Sequence, residues 1–93
     1  MSEWFLYIVK CSDGSLYTGI TTDINRRIAE HNGSKRGAKY TRSRRPVLLM
    51  LLEKHNSRSC ASSAEARIKS LTRKQKLKLI SKFQNKKLDN RAD

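Results

Sequence analysis

Acidic side chains are scarce in this 93-residue chain, eight against 21 lysines and arginines, for a formal charge of +13. That imbalance exceeds what solubility needs and implies a polyanionic partner. No apolar run is long enough to span a bilayer and no secretory signal opens the sequence, so nucleic acid is expected as that partner rather than a membrane. Cysteine is scarcer still. Cys11 and Cys60 lack metal-ligand or redox spacing, and neither His31 nor His55 completes an HExxH or CxxC-like constellation with them. Two isolated thiols suit packing roles in a reduced cytoplasm, and the missing spacing argues against structural zinc. No internal repeat is visible, and the length allows one domain with a modest core.

What is present is unevenly distributed. From His31 to Leu52 there is no acid and six bases: Lys35, Arg36, Lys39, Arg42, Arg44 and Arg45. From Ala66 to Leu88 there is again no acid, against nine bases. Such runs are either solvated, flexible segments or two strips flanking a phosphate backbone. In the second case binding weakens steeply with salt, because phosphate contacts release counterions.

Apolar patterning places the elements. "WFLYIVKC", Trp4 to Cys11, is apolar on both alternating faces and reads as a buried strand, which "SDGS" turns into a second strand over Leu16–Ile20. Asp23 is a fitting N-cap and Asn32-Gly33 a fitting stop for a helix of two to three turns. "GSKRGAKYTRSRR" has too few apolar residues for an element of its own and reads as a long basic loop. Pro46 then opens "VLLMLLE", expected as a strand buried on both faces rather than an open edge. A second helix over about Ser59–Ser70 carries Ala61, Ala64, Ile68 and Leu71 along one stripe. Thr72 and Gln75 form a capping box for a third helix with Leu77, Ile80 and Phe83 inward. The domain is expected over 1–83, with 84–93 a polar tail that frays. The order β-β-α-β-α-α argues for an α/β (α+β) domain: a small three-stranded, mainly antiparallel sheet flanked by helices.

Helical geometry separates residues that look alike. At about 100° per residue, Ile24 and Ile28 define the buried stripe of the first helix, and Arg27 and His31 fall together on its border. Arg26 and Glu30 point toward water. Arg27 therefore either snorkels over apolar surface or reaches across the sheet. Glu65 sits at the margin of the second helix's stripe, where a carboxylate needs a partner: Ser62 in a capping box, Lys69 four residues on, or a divalent metal. Tyr7 and Tyr17 lie on successive strands. A two-residue Asp13-Gly14 turn sends their rings to opposite faces, whereas a three-residue loop puts them on one. Tyr40 either stacks on a base or packs back on the domain.

Taken together, Phe5-Leu6-Tyr7, Tyr17-Thr18-Gly19, the "RRIAEHN" helix and a glutamate on the helix after the third strand resemble the GIY-YIG nuclease superfamily. The likeness runs from about Trp4 to about Ile80 and is greatest to its small stand-alone bacterial members. It implies the GIY-YIG endonuclease fold and a cytoplasmic, metal-dependent nuclease hydrolysing phosphodiester bonds in DNA, with structure-selective cleavage and a repair role among its uses. One Mg²⁺ or Mn²⁺ is implied, with Glu65 as its protein ligand. Arg27 is implied to contact the scissile phosphate, Tyr7 and Tyr17 to position the attacking water with one of them as general base, and His31 to assist. Gly19 is implied to let the backbone approach. DNA is expected ahead of RNA, bound by Lys35, Arg36, Lys39, Tyr40, Arg42, Arg44 and Arg45. The protein is expected as a monomer, with specificity supplied by that loop, the third helix or a protein partner. The alternative is a non-catalytic nucleic-acid-binding domain that keeps the fold.

Overall fold

The computed structural model describes the backbone of residues 3–91 and the side chains of 3–86. β1 (Trp4–Lys10) is the middle strand of a three-stranded sheet, with β2 (Leu16–Thr21) and β3 (Leu48–His55) antiparallel on either side. Its alternating residues feed two cores, which explains its continuous apolar character. Leu6 and Ile8 meet Leu51, Ala64, Ile68 and Ile80 beneath α3 (Arg58–Lys69) and α4 (Arg73–Arg91). Tyr7, Val9 and Cys11 meet Val47, with Ile24 and Ile28 of α1 (Ile24–Gly33) packed against them.

The hairpin between β1 and β2 closes on three residues. The Cys11 amide donates to Ser15 O at 2.8 Å, the Gly14 amide donates to Cys11 O at 2.9 Å, and Gly14 takes a φ of +86°. A glycine in this left-handed position is what a three-residue loop uses. Tyr7 consequently pairs with Gly19 and Val9 with Tyr17, so the two tyrosines share a face.

The caps of α1 and α4 fall where the sequence places them. Asp23 Oδ1 accepts from the Arg26 amide at 3.1 Å. The Thr72 amide donates to Gln75 Oε1 at 2.9 Å, while the Gln75 amide donates to Thr72 Oγ1 at 3.2 Å, a reciprocal box.

Four expectations are corrected. The basic loop contains a helical turn, α2 (Lys39–Arg42), which Thr41 anchors by its complete burial. β3 is an edge strand: the cores engage Met50, Leu51 and Leu52, leaving Leu48 64% and Leu49 41% exposed. Leu77 is 43% exposed, because Leu79 joins Ile80 and Phe83 in the contact stripe and rotates its centre away from Leu77. Finally, α4 continues to Arg91 through residues read as a fraying tail; lysine, glutamine and leucine favour helix there and neither glycine nor proline interrupts it. Residues 92 and 93 of that tail lie outside the described residues.

One buried hydroxyl is left over. Thr18 is 4% exposed and its Oγ1 has no partner among the described residues. Burying an unpaired hydroxyl is unfavourable, and valine has nearly the same shape. Thr18→Val is therefore expected to stabilise the fold by about 1 kcal/mol, raising the thermal midpoint by several degrees. An unchanged or lower midpoint would show that the hydroxyl is satisfied.

Candidate active site

The capped turn after β2 lays α1 across the sheet face that carries both tyrosines. Arg27 and His31, one helical turn apart, both reach the Tyr7 hydroxyl. His31 Nε2 is 2.8 Å from it, and Arg27 Nε donates to it at 3.4 Å. Tyr17 adds a second ring against His31, with centroids 5.5 Å apart beside the 5.7 Å of Tyr7 and His31, both edge-on. Gly19 makes this possible: a Cβ there would lie 2.5 Å from the Tyr7 oxygen. The close approach is between the Tyr7 ring and the β2 backbone, so the glycine accommodates a side chain of the chain itself.

The adjacent arginines differ as helical geometry requires. The Arg26 side chain is 57% exposed and that of Arg27 23%. Glu30 corrects the reading, since it does not point to water. Its carboxylate, 18% exposed, accepts from Arg27 Nη1 at 2.9 Å, which also donates to Arg36 O at 2.8 Å. A guanidinium drawn toward the core needs an anion beside it, and the long arginine stem bends back along the helix to find one.

Burial sets the protonation states. It raises the Tyr7 phenol above its ordinary value, with Arg27 opposing and the Tyr17 and Glu65 charges adding. His31 is completely buried, and desolvation, with help from Arg27 and Arg45 and against Glu30, lowers its pKa to about 4. Its imidazole is thus neutral at physiological pH. Between pH 6.5, its ordinary value, and about 4, the unfolded chain binds a proton here that the folded chain refuses. Stability therefore falls as pH drops through that window, by up to about 3 kcal/mol from this group, and is insensitive to it above 6.5. Urea unfolding from pH 7.5 to 4.5 should show a shallower acid loss in His31→Gln than in the wild type, whereas parallel profiles would contradict the buried neutral imidazole.

Glu65 comes from α3, in the other helical layer. Its carboxylate pairs with Lys69 at 3.3 Å and is 23% exposed, and its charge bears on the Tyr7 hydroxyl. The bland partner Lys69 is therefore present, on a side chain 54% exposed. The helix is capped by Ser57, whose Oγ accepts from the Cys60 amide at 3.1 Å, so Ser62 forms no cap. Among the described residues no three histidines, cysteines or acids cluster around a possible metal position.

The loop cations divide into two groups. Lys35, Arg36, Lys39 and Arg42 are exposed, with side chains unpaired among the described residues. Arg44 is engaged: it bridges to Asp13 at 3.0 Å, donates to Tyr40 O at 2.8 Å and lies 4.0 Å over the Tyr40 ring. Tyr40 in turn stacks on Tyr17 at 5.9 Å, so it packs back on the domain. Arg45 donates to the carbonyls of Glu30, His31 and Ser34. It thereby satisfies the His31 carbonyl in the last turn of α1, Glu30 O being also bonded to the Ser34 amide, and complements the helix dipole. Gly37 allows this folding back, since a Cβ there would lie 2.7 Å from Glu30 O.

Sequence reasoning misses Thr41, whose Oγ1 is 2.8 Å from His31 Nδ1. It reads Asn32 only as part of a helix stop and misses that its side-chain amide donates to Val47 O at 3.2 Å and accepts from the Val47 amide at 2.7 Å, fastening the residue before β3 to α1. No periodicity marks either residue. The only available signal is that small polar residues flank a histidine and a strand start.

Comparison with known proteins identifies the family. The sequence profile of one family, described as GIY-YIG catalytic domain, matches residues 3–78. The UPF0213 protein DP2720 of Desulfotalea psychrophila is 58% identical over 77 residues, covering 83% of this chain and 70% of that one. The UPF0213 protein SH2523 of Staphylococcus haemolyticus is 54% identical over 80 residues, covering 86% and 96%. Two solution NMR structures share the fold at 44% identity. Protein EF2693 of E. faecalis has a TM-score of 0.62 over 90% of this chain and 88% of its own, and UPF0213 protein BH0048 of Bacillus halodurans 0.56 over 85% and 83%. No helix among the described residues is long and apolar enough to cross a membrane. With the tyrosine pair, the glycine and the Arg27–His31 helix assembled on one face and the profile matched over most of the chain, this protein belongs to the GIY-YIG catalytic domain family.

Proposed function

We propose that this protein is a cytoplasmic nuclease that hydrolyses phosphodiester bonds in DNA with one Mg²⁺ or Mn²⁺. The observation that carries this reading is the Tyr7 hydroxyl, held between the neutral His31 Nε2 at 2.8 Å and the Arg27 guanidinium at 3.4 Å. A core tyrosine needs one hydrogen bond to be satisfied; one placed between a base and a cation is equipped to move a proton.

Glu65 fits a single-carboxylate site. It is a hard oxygen donor, partly open to solvent, and its partner Lys69 is exposed enough to turn away. Mg²⁺ accepts one protein carboxylate when water and phosphate complete its octahedron. When bound there, the metal polarises the phosphate and acidifies water. The chain's own residues do the rest. Tyr7 orients the attacking water and takes its proton as its own passes to His31 Nε2; the imidazolium, which burial and Arg27 disfavour in the free protein, forms only against the negative charge of the bound phosphate. The water oxygen bonds to phosphorus, the P–O bond to the leaving sugar oxygen breaks, and that oxygen keeps the electron pair and is protonated from solvent. Arg27 stabilises the negative charge developing on the phosphoryl oxygens. Its Nη2 is its free donor among the described residues, while Glu30 holds the guanidinium in place. Tyr17 closes the site beside His31. Lys35, Arg36, Lys39 and Arg42 bind the flanking phosphates, whereas Arg44, Arg45 and Tyr40 hold the loop in shape.

The test incubates the protein with single-stranded, duplex, flapped and branched DNA and with RNA, in Mg²⁺ or Mn²⁺ and in EDTA, beside Glu65→Ala. Metal-dependent cleavage of a DNA substrate is expected, reduced at least about 100-fold in Glu65→Ala with DNA binding retained. Cleavage that survives the substitution would remove Glu65 from the site. Binding without cleavage on every substrate would favour the non-catalytic nucleic-acid-binding domain.

A further inference from the structure

We propose that Thr41 is a positioning residue that fixes the tautomer of His31, so that Nδ1 carries the hydrogen and Nε2 presents its lone pair to Tyr7. The proposal rests on the nuclease reading for its consequence, but the hydrogen-bond count carries it independently.

Four hydrogen bonds link five groups in a chain through the buried centre of the site. Thr41 Oγ1 lies 3.0 Å from Ala38 O, His31 Nδ1 lies 2.8 Å from Thr41 Oγ1, His31 Nε2 lies 2.8 Å from the Tyr7 oxygen, and Arg27 Nε donates to that same oxygen at 3.4 Å. Thr41 and His31 are completely buried and Tyr7 is 1% exposed, so before substrate and its attacking water are bound the pairing must be completed within the chain. With hydrogen on Nδ1, every donor has an acceptor: Nδ1–H donates to Thr41 Oγ1, the Thr41 hydroxyl to Ala38 O, the Tyr7 hydroxyl to Nε2, and Arg27 to the Tyr7 oxygen. With hydrogen on Nε2, both His31 and Arg27 point donors at the Tyr7 oxygen. The Tyr7 hydroxyl hydrogen is then left without an acceptor among the described residues. A buried orphan donor is unfavourable, and the first arrangement avoids it.

Direction follows from this choice. In the Nδ1–H tautomer the Tyr7 proton can pass to Nε2 while Tyr7 receives one from water, and the resulting imidazolium keeps Thr41 as acceptor at its other nitrogen. In the opposite tautomer Nε2 is already occupied and the transfer is blocked. Thr41 acts through His31 and touches neither water nor phosphate. It belongs to α2, the helical turn that also carries the exposed Lys39 and Arg42. The segment that phosphates would touch is therefore the one that orients the histidine.

The test reads the ¹⁵N shifts of His31 at neutral pH, together with single-turnover and steady-state cleavage of a labelled DNA, in wild type, Thr41→Val and Thr41→Ser. The wild type is expected as the Nδ1–H tautomer. Thr41→Val, which keeps the shape and loses the acceptor, should shift the population toward Nε2–H and lower kcat about 10- to 100-fold with KM nearly unchanged. Thr41→Ser should restore both. A wild-type His31 found as Nε2–H overturns the proposal, as does a Thr41→Val protein that keeps both the Nδ1–H tautomer and the wild-type rate. If Thr41→Val fails to fold, the wild-type tautomer decides alone. An Nδ1–H tautomer in a protein that cleaves nothing would sink the nuclease reading and leave the orienting role of Thr41 standing.

Discussion

Gly19→Ala is expected to remove DNA cleavage while leaving a folded, weakened protein. The new methyl carbon would lie 2.5 Å from the Tyr7 oxygen, 2.7 Å from Cζ and 3.1 Å from Cε2, distances that real side chains do not tolerate. The Tyr7 ring cannot swing aside freely, because it is 1% exposed and its hydroxyl is bonded to His31 at 2.8 Å. Strain of this kind costs about 1–3 kcal/mol. Its effect on catalysis is larger: a shift of roughly 1 Å in a positioned group lowers rates on the order of 100-fold, and here the hydroxyl would also leave His31 and Arg27. Circular dichroism should therefore report native secondary structure, urea unfolding a lower midpoint, and single-turnover cleavage a loss of at least about 100-fold. Tyr7→Phe/Gly19→Ala should recover part of the stability, since the nearest clashing atom is gone, and none of the cleavage. A Gly19→Ala protein cutting within about threefold of wild type would show that the Tyr7 hydroxyl is not the group that matters.

Local signals carried much of the fold. Asp23, Thr72 and Gln75 cap helices because their side chains reach amides three residues away, a relation that spacing alone reveals. The two-sided burial of Trp4–Lys10 is visible in its apolar continuity. What local reasoning leaves open depends on distant partners. "SDGS" suits two hairpin lengths, and only the bond from the Cys11 amide to Ser15 puts Tyr7 and Tyr17 on the same face. "VLLMLLE" shows that apolar residues are present but not that β1 would be central and β3 an edge, because strand order is a property of the whole chain. The turn at Lys39–Arg42 is too short for a periodic pattern and exists through Thr41's burial.

The candidate site divides along the same line. Arg27 and His31 are legible as a pair because four residues bring side chains to one helical face. Their meeting point on Tyr7 is not, since it depends on register across the sheet. The loop bases look identical in sequence, yet Arg45 closes the end of α1 and Arg44 holds Asp13 and Tyr40, leaving Lys35, Arg36, Lys39 and Arg42 unpaired among the described residues. Glu30 and Thr41 act on other side chains rather than on solvent, and such roles have no spacing of their own.

The second large effect concerns the neighbours Arg26 and Arg27. Arg27 donates to Tyr7 and Glu30 from a half-buried position, and its third guanidinium nitrogen is unpaired among the described residues. A preorganised donor aimed at developing charge is worth roughly 100- to 1,000-fold in rate. Arg27→Lys should recover little of the loss, because three hydrogens on one ammonium nitrogen cannot span the Tyr7, Glu30 and Arg36 acceptors and also serve a phosphate. Arg26 is solvated, and its carboxylate contact is 3.9 Å on a side chain 57% exposed, so its removal is expected to weaken DNA binding slightly and little else.

Single-turnover cleavage of one labelled DNA by Arg26→Ala and Arg27→Ala, under saturating enzyme and Mg²⁺, tests the assignment most directly. The assembled site predicts a rate within about threefold of wild type for Arg26→Ala and a loss of about 100-fold or more for Arg27→Ala. Equal losses in the two variants, or none in Arg27→Ala, would contradict a catalytic centre built around Tyr7, Arg27 and His31.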